Sequence, residues 1–379
     1  FFLFHSHFQM VCSTDILSTS LALSLLRHSS HHNQSFVFSP FSLDTVLSIV
    51  HDGAAGNTQK ELTNLLLKGC TPFDVTNFYS SLAHSQSRTN KSNVQFKSAN
   101  RLYVNYSIPI EAAYQKHIQH KYNVKVDKVN LRDKIGSATK INNFVKTSTN
   151  GRIRNIVDSA EINNESAAIL INVIHFLAKW KISFEPIHSG YFRGVSGERM
   201  TEFMATTNNF RVNWDNEFGT LLIVPYQDKK FNFFCLMPEE SSNLENMKKS
   251  LTGGKLVNIL RQAKLEFVEI VVPKFKLESE MNAKEVLSKM GVKTLFHELT
   301  ANLSKISPIP FFVSKIKHKS VIEVNERGTE AAAVTEEGHG VQISDDGDES
   351  PSPPIIFIDR PFLFGILRND HIYFLGQYV

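Results

Sequence analysis

The side chains that most often carry out chemistry are present in this 379-residue sequence, but their spacing does not fit a catalytic site. A nucleophilic serine on a strand-to-helix turn needs the pattern G-x-S-x-G. The nearest match, residues 194–197, reads G-V-S-G and lacks the residue between the serine and the second glycine. The patterns H-E-x-x-H, G-x-G-x-x-G and G-x-x-x-x-G-K-[ST] do not occur in the sequence. The sequence therefore predicts a protein that is not an enzyme and that uses no cofactor.

Fifteen histidines and three cysteines are candidates for binding a metal ion. The cysteines, Cys12, Cys70 and Cys235, are far apart and form no C-x-x-C pair, which argues against a zinc site and a disulfide framework. His28, His31 and His32 follow a predicted helix beside serines, as is typical of a solvated surface. We therefore predict no metal site.

A stretch near the C-terminus has the pattern of a β-strand with only small or hydroxylated side chains on one face. Residues 326–335 read E-R-G-T-E-A-A-A-V-T. Every second residue after Gly328 is small or hydroxylated: Thr329, Ala331, Ala333 and Thr335. Because successive side chains of a strand point to opposite faces, these four could enter a crowded sheet together. An alanine-rich run is also typical of a helix, and composition leaves both interpretations open.

A long acidic segment follows this stretch. Residues 328–354 contain three prolines, no lysine or arginine and no large aromatic residue. Their acidic cluster consists of Asp345, Asp346, Asp348 and Glu349. Such a composition cannot bury enough apolar area to fold alone, and a loop this long within a domain is functional or disordered. We predict an exposed hinge and loop over residues 326–354.

The elements that must position these residues follow from periodicity and capping signals. Helices are expected to begin at Asp15, after Ser39-Pro40 and at a Thr58–Glu61 capping box, and to cover 111–120, 137–147 and 282–290. Strands are expected at 168–177, 220–224, 231–237, 265–277, 311–324, 355–358, 362–367 and 372–378. Helices dominate the first half and strands the second, which predicts an α+β fold in a single domain over residues 1–379.

Composition excludes two kinds of partner. The net charge of +4 is small and scattered, which argues against nucleic acid. No apolar run reaches the ~18 residues that cross a bilayer, so no membrane partner is expected. Residues 1–9 precede Met10 and are predicted to be extraneous or disordered. No signal peptide pattern is visible, and the cellular location stays open.

Six motifs, in this order, resemble those of the serpin family over almost the whole chain. They are Phe38-Ser39-Pro40 with Ser42, Asn172–Phe176 with Trp180 and Phe184, Val272-Pro273-Lys274-Phe275, Val313-Ser314-Lys315 leading to His318, Glu326–Ala333, and Asp359–Phe364. The resemblance implies a large central sheet, smaller sheets, about eight or nine helices and an exposed reactive-centre loop. It also implies an inhibitor of serine proteases, which acts as a suicide substrate by loop cleavage and insertion of the loop into the central sheet.

The resemblance assigns roles to particular residues. The hinge would be Glu326, Arg327, Gly328, Thr329, Glu330, Ala331, Ala332 and Ala333. A polar cluster controlling the opening of the sheet would be Ser39, Ser42, Asn172 and His318, and the top of the sheet would carry Trp180, Lys274 and Glu326. Counting from the hinge places the scissile bond at Gln342–Ile343, whereas counting back from Pro361 places it within 345–350.

Two features leave alternatives open. Glu337 continues the inward-facing alternation, and an unpaired buried carboxylate is costly, which favours a non-inhibitory serpin that acts as a carrier, storage or chaperone-like protein. The loop also lacks a basic residue, so the expected partner is a protease that is not trypsin-like, with cysteine proteases as a further alternative.

The resemblance also bears on oligomeric state and location. The protein is expected to be a monomer, and members of the family are extracellular more often than cytoplasmic; a start at Met10 would favour the cytoplasm.

Overall fold

The computed structural model describes residues 14–31, 33–66, 94–162, 167–239, 244–329 and 352–379. Within these ranges the chain forms eight α-helices, in agreement with the number expected. They are α1 (Thr14–His28), α2 (Pro40–Gly53), α3 (Gly56–Leu66), α4 (Ala112–Tyr122), α5 (Lys134–Ser148), α6 (Leu244–Ser250), α7 (Gly253–Gln262) and α8 (Ala283–Lys289). None of the described helices is long and apolar enough to span a membrane.

The described ranges also contain fifteen strands, most of them in the second half of the chain. They are β1 (Phe36–Phe38), β2 (Val94–Asn105), β3 (Lys125–Val129), β4 (Ala168–Lys179), β5 (Glu185–Gly194), β6 (Gly197–Asp215), β7 (Gly219–Pro225), β8 (Phe231–Met237), β9 (Lys264–Pro273), β10 (Phe275–Asn282), β11 (Val313–Asn325), β12 (Gly328–Thr329), β13 (Ile355–Phe357), β14 (Phe362–Arg368) and β15 (His371–Tyr378). They form two sheets.

The six-stranded sheet has the order β10-β11-β12-β4-β2-β3. Its centre is a parallel pair, β4 and β11, in which Asn172 lies opposite His318. Nearly every residue of β4 is buried, as expected for a strand covered on both faces. Leu170 on one face joins the main core, while Ile171 on the other packs with Ile141 of α5.

The nine-stranded sheet has the order β1-β15-β14-β8-β7-β6-β9-β13, with β5 paired to β6. Strand β6 is 19 residues long and pairs with β5 and β9 along most of its length and with β7 at its far end. Strand β13 lies at the edge of this sheet, parallel to β9. It follows the acidic loop, so the hinge begins in one sheet and the loop ends in the other.

Several local predictions need correction. The strand expected over 265–277 is two strands, β9 and β10, separated at Lys274. The capping box at Thr58 is wrong, because α3 already begins at Gly56 and the Glu61 carboxylate accepts hydrogen bonds from the Lys293 and Thr294 backbone N–H groups. The helix start after Ser39 is confirmed, since the Ser39 hydroxyl accepts from the Ser42 N–H at 3.2 Å.

Candidate functional site

The first two hinge residues that form a strand lie inside the six-stranded sheet. Strand β12 separates the ends of β4 and β11: Thr329 lies opposite Ala178 of β4 and Val324 of β11, antiparallel to both. Below it, β4 and β11 pair directly with each other. The start of the hinge therefore lies between β4 and β11 at one end of these strands, whereas over the rest of their length β4 and β11 are hydrogen-bonded to each other.

The prediction that the hinge is exposed is wrong for Gly328 and Thr329, both of which are buried. The Thr329 side chain has no exposed area, and its hydroxyl lies 2.5 Å from the phenol oxygen of Tyr226. A Cβ atom at Gly328 would lie 2.0 Å from the Ala178 carbonyl oxygen, so only glycine fits this close approach. A small hydroxylated residue after a glycine is compatible with this buried position between β4 and β11 and equally with an exposed loop. The sequence alone therefore did not show that Thr329 is buried.

Trp180 holds the turn that leads into β12. Its indole Nε1 donates to the Asn325 carbonyl at 2.7 Å, and its backbone N–H donates to the Arg327 carbonyl at 3.0 Å. The indole ring is stacked on Tyr226 with 4.5 Å between ring centroids. One aromatic stack thus supports both the turn and the Thr329 hydroxyl.

Lys274 and Glu326, predicted for the top of the sheet, also meet there. The Lys274 ammonium lies 2.9 Å from a Glu326 carboxylate oxygen and 2.5 Å from one of Glu202. The hydrogen bonds that Lys274 donates to Glu202 and Glu326 raise the pKa of Lys274. Burial raises the pKa of Glu326, but hydrogen bonds from its own backbone N–H and from Lys274 outweigh it, and the net pKa is lowered. The pair stays charged at neutral pH and links the junction of β9 and β10 to the hinge.

Ser39, Ser42, Asn172 and His318 form one buried hydrogen-bonded cluster at mid-sheet, each with no exposed area. The Asn172 amide donates to the Ser42 hydroxyl at 2.6 Å and to the Ser42 carbonyl at 3.0 Å. His318 Nδ1 donates to the side-chain oxygen Oδ1 of Asn172, a side-chain hydrogen bond between the paired strands β11 and β4. The Ser39 N–H donates to His318 Nε2 at 3.0 Å.

These contacts define the state of His318. Its Nε2 accepts from a backbone N–H, so the proton resides on Nδ1 and the ring is neutral. Burial lowers the pKa of His318 to about 3. A protonated ring would lose the Ser39 contact, because both of its nitrogens would be donors.

The cluster includes members that the sequence analysis did not find. The Asn100 carbonyl oxygen of β2 accepts from the Asn172 amide at 2.6 Å, and the Ser98 hydroxyl lies 3.2 Å from that of Ser42. The Ser39 hydroxyl donates to the Tyr373 carbonyl of β15 at 2.6 Å, which connects the two sheets. The polar alternation Ser98–Asn100 within a strand was the available signal, but without the fold it has no partner to identify it.

No group of three or more histidine, cysteine or acidic residues in the described part of the chain is placed to hold a metal ion.

A family model for serpins, the serine protease inhibitors, matches residues 17–379. This chain belongs to the serpin family. The predicted α+β serpin fold is confirmed.

Known serpins cover the chain almost completely. The leukocyte elastase inhibitor of Homo sapiens is 31% identical over 377 residues, 95% of this chain and 97% of that relative. The native-state structure of tengpin, a thermophilic serpin, has a TM-score of 0.86 and 26% identity, covering 96% of this chain and 93% of tengpin. The complex of thyroxine-binding globulin with thyroxine has a TM-score of 0.85 at 23% identity, over 97% and 98%, and shows the fold alone.

The remaining predicted site residues of this serpin lie outside the described part of the chain. They are Glu330, Ala331, Ala332, Ala333, Gln342 and Ile343, together with Glu337. The predicted hinge is therefore described from Glu326 to Thr329 only. Of these four residues, Arg327 is exposed, Glu326 is half-buried and the other two are buried.

Proposed function

We propose that this serpin inhibits proteases as a suicide substrate. The protease nucleophile attacks the carbonyl carbon of a bond in the loop, the following residue leaves as a free amine, and an acyl-enzyme remains. The loop, cut free from β13, then extends β12 downward between β4 and β11 and carries the acylated protease with it. The native state would be a kinetic trap above the inserted form in free energy.

The observation that carries this proposal is the position of β12. Its two residues already pair with both β4 and β11, so each further residue adds to an existing ladder rather than starting one. Insertion replaces one parallel pairing by two antiparallel pairings and so increases the number of ladder hydrogen bonds. About 15 inserted residues at ~3.3 Å each would move the protease roughly 50 Å.

The register of β12 also relates the loop to the polar cluster. In an antiparallel strand, each step forward along the loop is one step back along both neighbours. Counting from Thr329, residue 335 would lie between Asn172 and His318. The hydrogen bond between Asn172 and His318 must therefore break before the loop can insert beyond this point. In the inserted state the hydroxyl of Thr335 would occupy the place of that hydrogen bond.

The composition of the loop selects the class of protease. Between Gly328 and Asp359 it offers no lysine or arginine, so a trypsin-like pocket would keep an unpaired, desolvated carboxylate. Val341, Gln342 and Ile343 suit the apolar or neutral pockets of elastase-like, chymotrypsin-like or cysteine proteases. The elastase inhibitor among the relatives supports an elastase-like target.

One observation favours a non-inhibitory carrier instead. The same counting places residue 337 between Leu170 and Ile316, both buried in the main core. An unpaired Glu337 carboxylate would be costly there. Thyroxine-binding globulin, which has this fold, is described in complex with a small molecule.

A panel of trypsin, elastase, chymotrypsin and a cathepsin tests the proposal. An inhibitor gives an SDS-stable covalent complex with at least one of them, and mass spectrometry of the released peptide gives the cleaved bond. We expect elastase or chymotrypsin to be trapped faster than trypsin. Cleavage by every protease without any stable complex would support the carrier.

A further inference from the structure

Large apolar side chains are concentrated on the surface where the loop rejoins the fold. Of thirteen large hydrophobic side chains exposed in the described residues, nine belong to the β5–β6 hairpin, β9 and β13. They are Ile187, Tyr191, Val195, Met200, Trp214, Leu265, Phe267, Ile355 and Phe357. Single exposed apolar residues are ordinary on protein surfaces, whereas a cluster marks a surface that contacts another molecule.

Four of these residues form a staggered strip on one face of the nine-stranded sheet, called here the β9–β13 face, in which the β13 pair lies beyond the β9 pair along the strand direction. Leu265 and Phe267 are two apart on β9, and Ile355 and Phe357 are two apart on β13, so each pair shares a face. Ile355 lies opposite Glu269, which continues the Leu265–Phe267 row. Their exposed fractions are 71% for Leu265, 57% for Phe267, 60% for Ile355 and 40% for Phe357.

The charges on this face nearly cancel. Glu269 lies in the β9 row, and the exposed Arg211 of β6 lies opposite Leu265. The exposed Glu185 of β5 lies in the cross-strand row of Phe357, so a partner would meet an apolar strip with three separated charges and a net charge of −1. Such a contact depends on buried apolar area and only weakly on salt.

The chain itself brings a partner to this face. The Glu269 N–H donates to the Pro354 carbonyl at 3.0 Å, so the end of the loop is fixed beside β9. Gln342, the earliest candidate bait residue, is thirteen positions before Ile355, a covalent span of at most about 45 Å. A protease of about 230 residues has a radius of gyration near ~17 Å, so its body is comparable in size to this tether.

We propose that the β9–β13 face is a second docking surface for the protease that attacks the loop. This inference rests on the proposed inhibitory function and adds a determinant of its specificity. Because the loop holds the protease at a high effective concentration, even a small apolar contact would slow its escape before acylation. Proteases with a complementary apolar rim would be selected over others that cleave the same loop sequence.

The test compares two double variants with the wild-type inhibitor. Phe267→Ser with Ile355→Ser removes two exposed side chains of the face, and Ile135→Ser with Leu299→Ser removes two that are more exposed and lie elsewhere. Association rate constants and stoichiometries of inhibition are measured with elastase, chymotrypsin and a cathepsin. For the protease that is trapped fastest, we expect the face variant to associate about tenfold more slowly at unchanged stoichiometry, in low and high salt alike. The control variant keeps the wild-type rate.

Two outcomes would count against the inference, and they are distinct. If the face variant associates within twofold of wild type with every protease that is trapped, the docking surface is wrong while the inhibitory function stands. If the wild-type protein forms no covalent complex with any of them, the proposed function fails and the inference falls with it.

Discussion

At the scale of single residues, the buried Thr329 hydroxyl decides how the hinge is held. Thr329→Arg would place a charged side chain where no area is exposed and would leave Tyr226 without its partner. We expect two effects: the native hinge leaves the sheet, costing about 1–3 kcal/mol, and a loop that cannot re-enter turns the inhibitor into a substrate. Gel analysis of complex against cleaved product measures the second effect, and urea unfolding measures the first.

Arg327 provides the matched control for this substitution, because it is the exposed neighbour in the same hinge. Arg327→Ala should leave both the stability and the inhibition stoichiometry close to wild type. Full-stoichiometry complexes formed by Thr329→Arg would rule out insertion through β12.

His318 makes the stability of the central sheet depend on pH. Its pKa is lowered to about 3 by burial, below the ~6.5 of an unfolded chain, so its contribution is complete above pH 6.5 and is lost as the pH falls toward 3. Between pH 6.5 and 5.5 this histidine alone should lower the free energy of unfolding by about 1 kcal/mol. Denaturant titrations of wild type and His318→Ala at both pH values measure the difference.

The alanine variant should be less stable than wild type by about 1–3 kcal/mol at pH 7.5, because Ser39 and Asn172 lose a partner. It should also lack the extra loss of stability on acidification. Parallel pH profiles for the two proteins would show that another group is responsible.

At the scale of elements, the register of β12 separates two neighbouring glutamates of the loop. Residue 337 would face the core between Leu170 and Ile316, whereas residue 336 would face the opposite side of the sheet. Glu337→Leu should therefore speed insertion and bring the stoichiometry of inhibition closer to one. Glu336→Leu is the comparison, because residue 336 would lie between Ile171 and Lys317, where its carboxylate can pair with the Lys317 ammonium, and its loss should not speed insertion. Equal acceleration by the two substitutions would contradict this register.

The elements also show how far the sequence reaches. β8 was predicted at its observed bounds because its largely apolar run lies between Lys230 and Pro238. β4 was also found from an apolar run. β2 was missed because Ser98 and Asn100 interrupt its apolar pattern, for reasons that involve partners on α2 and β4. α7 was missed because Gly253 and Gly254 lie in its first turn, where helix propensity is poor.

The same contrast applies to the site. Trp180, Lys274 and Glu326 all contact or belong to the turn before β12, and the resemblance could name them because each sits in a motif that can be read locally; their role in insertion stays a prediction. The seat of Thr329 was not predicted, because it depends on Tyr226, a residue 103 positions away whose role no local pattern records. Local signals define elements, and long-range register defines the site.

At the scale of the whole molecule, the proposed kinetic trap predicts a large response to a single cut. A nick at residues 341–350 should raise the melting temperature by tens of degrees, since the loop can then complete the six-stranded sheet. Differential scanning calorimetry before and after limited proteolysis measures this shift, and a cut elsewhere on the surface serves as the control. A nicked protein that melts at the temperature of the intact one would remove the basis for the trap.

The parallel pairing of β4 with β11 has a consequence for how this chain folds. β4 and β11 are separated by more than a hundred residues, whereas a strand following the Glu326–Arg327 turn could fold back on β11 as a simple local hairpin. Because short loop closures are faster than long ones, the chain by itself would reach that hairpin first. Docking of β13, β14 and β15 fixes the far end of the loop in the other sheet and so withholds it from β11. We therefore expect the last 25 residues to delay this hairpin during folding, and a chain that lacks them to assemble directly into the inserted form.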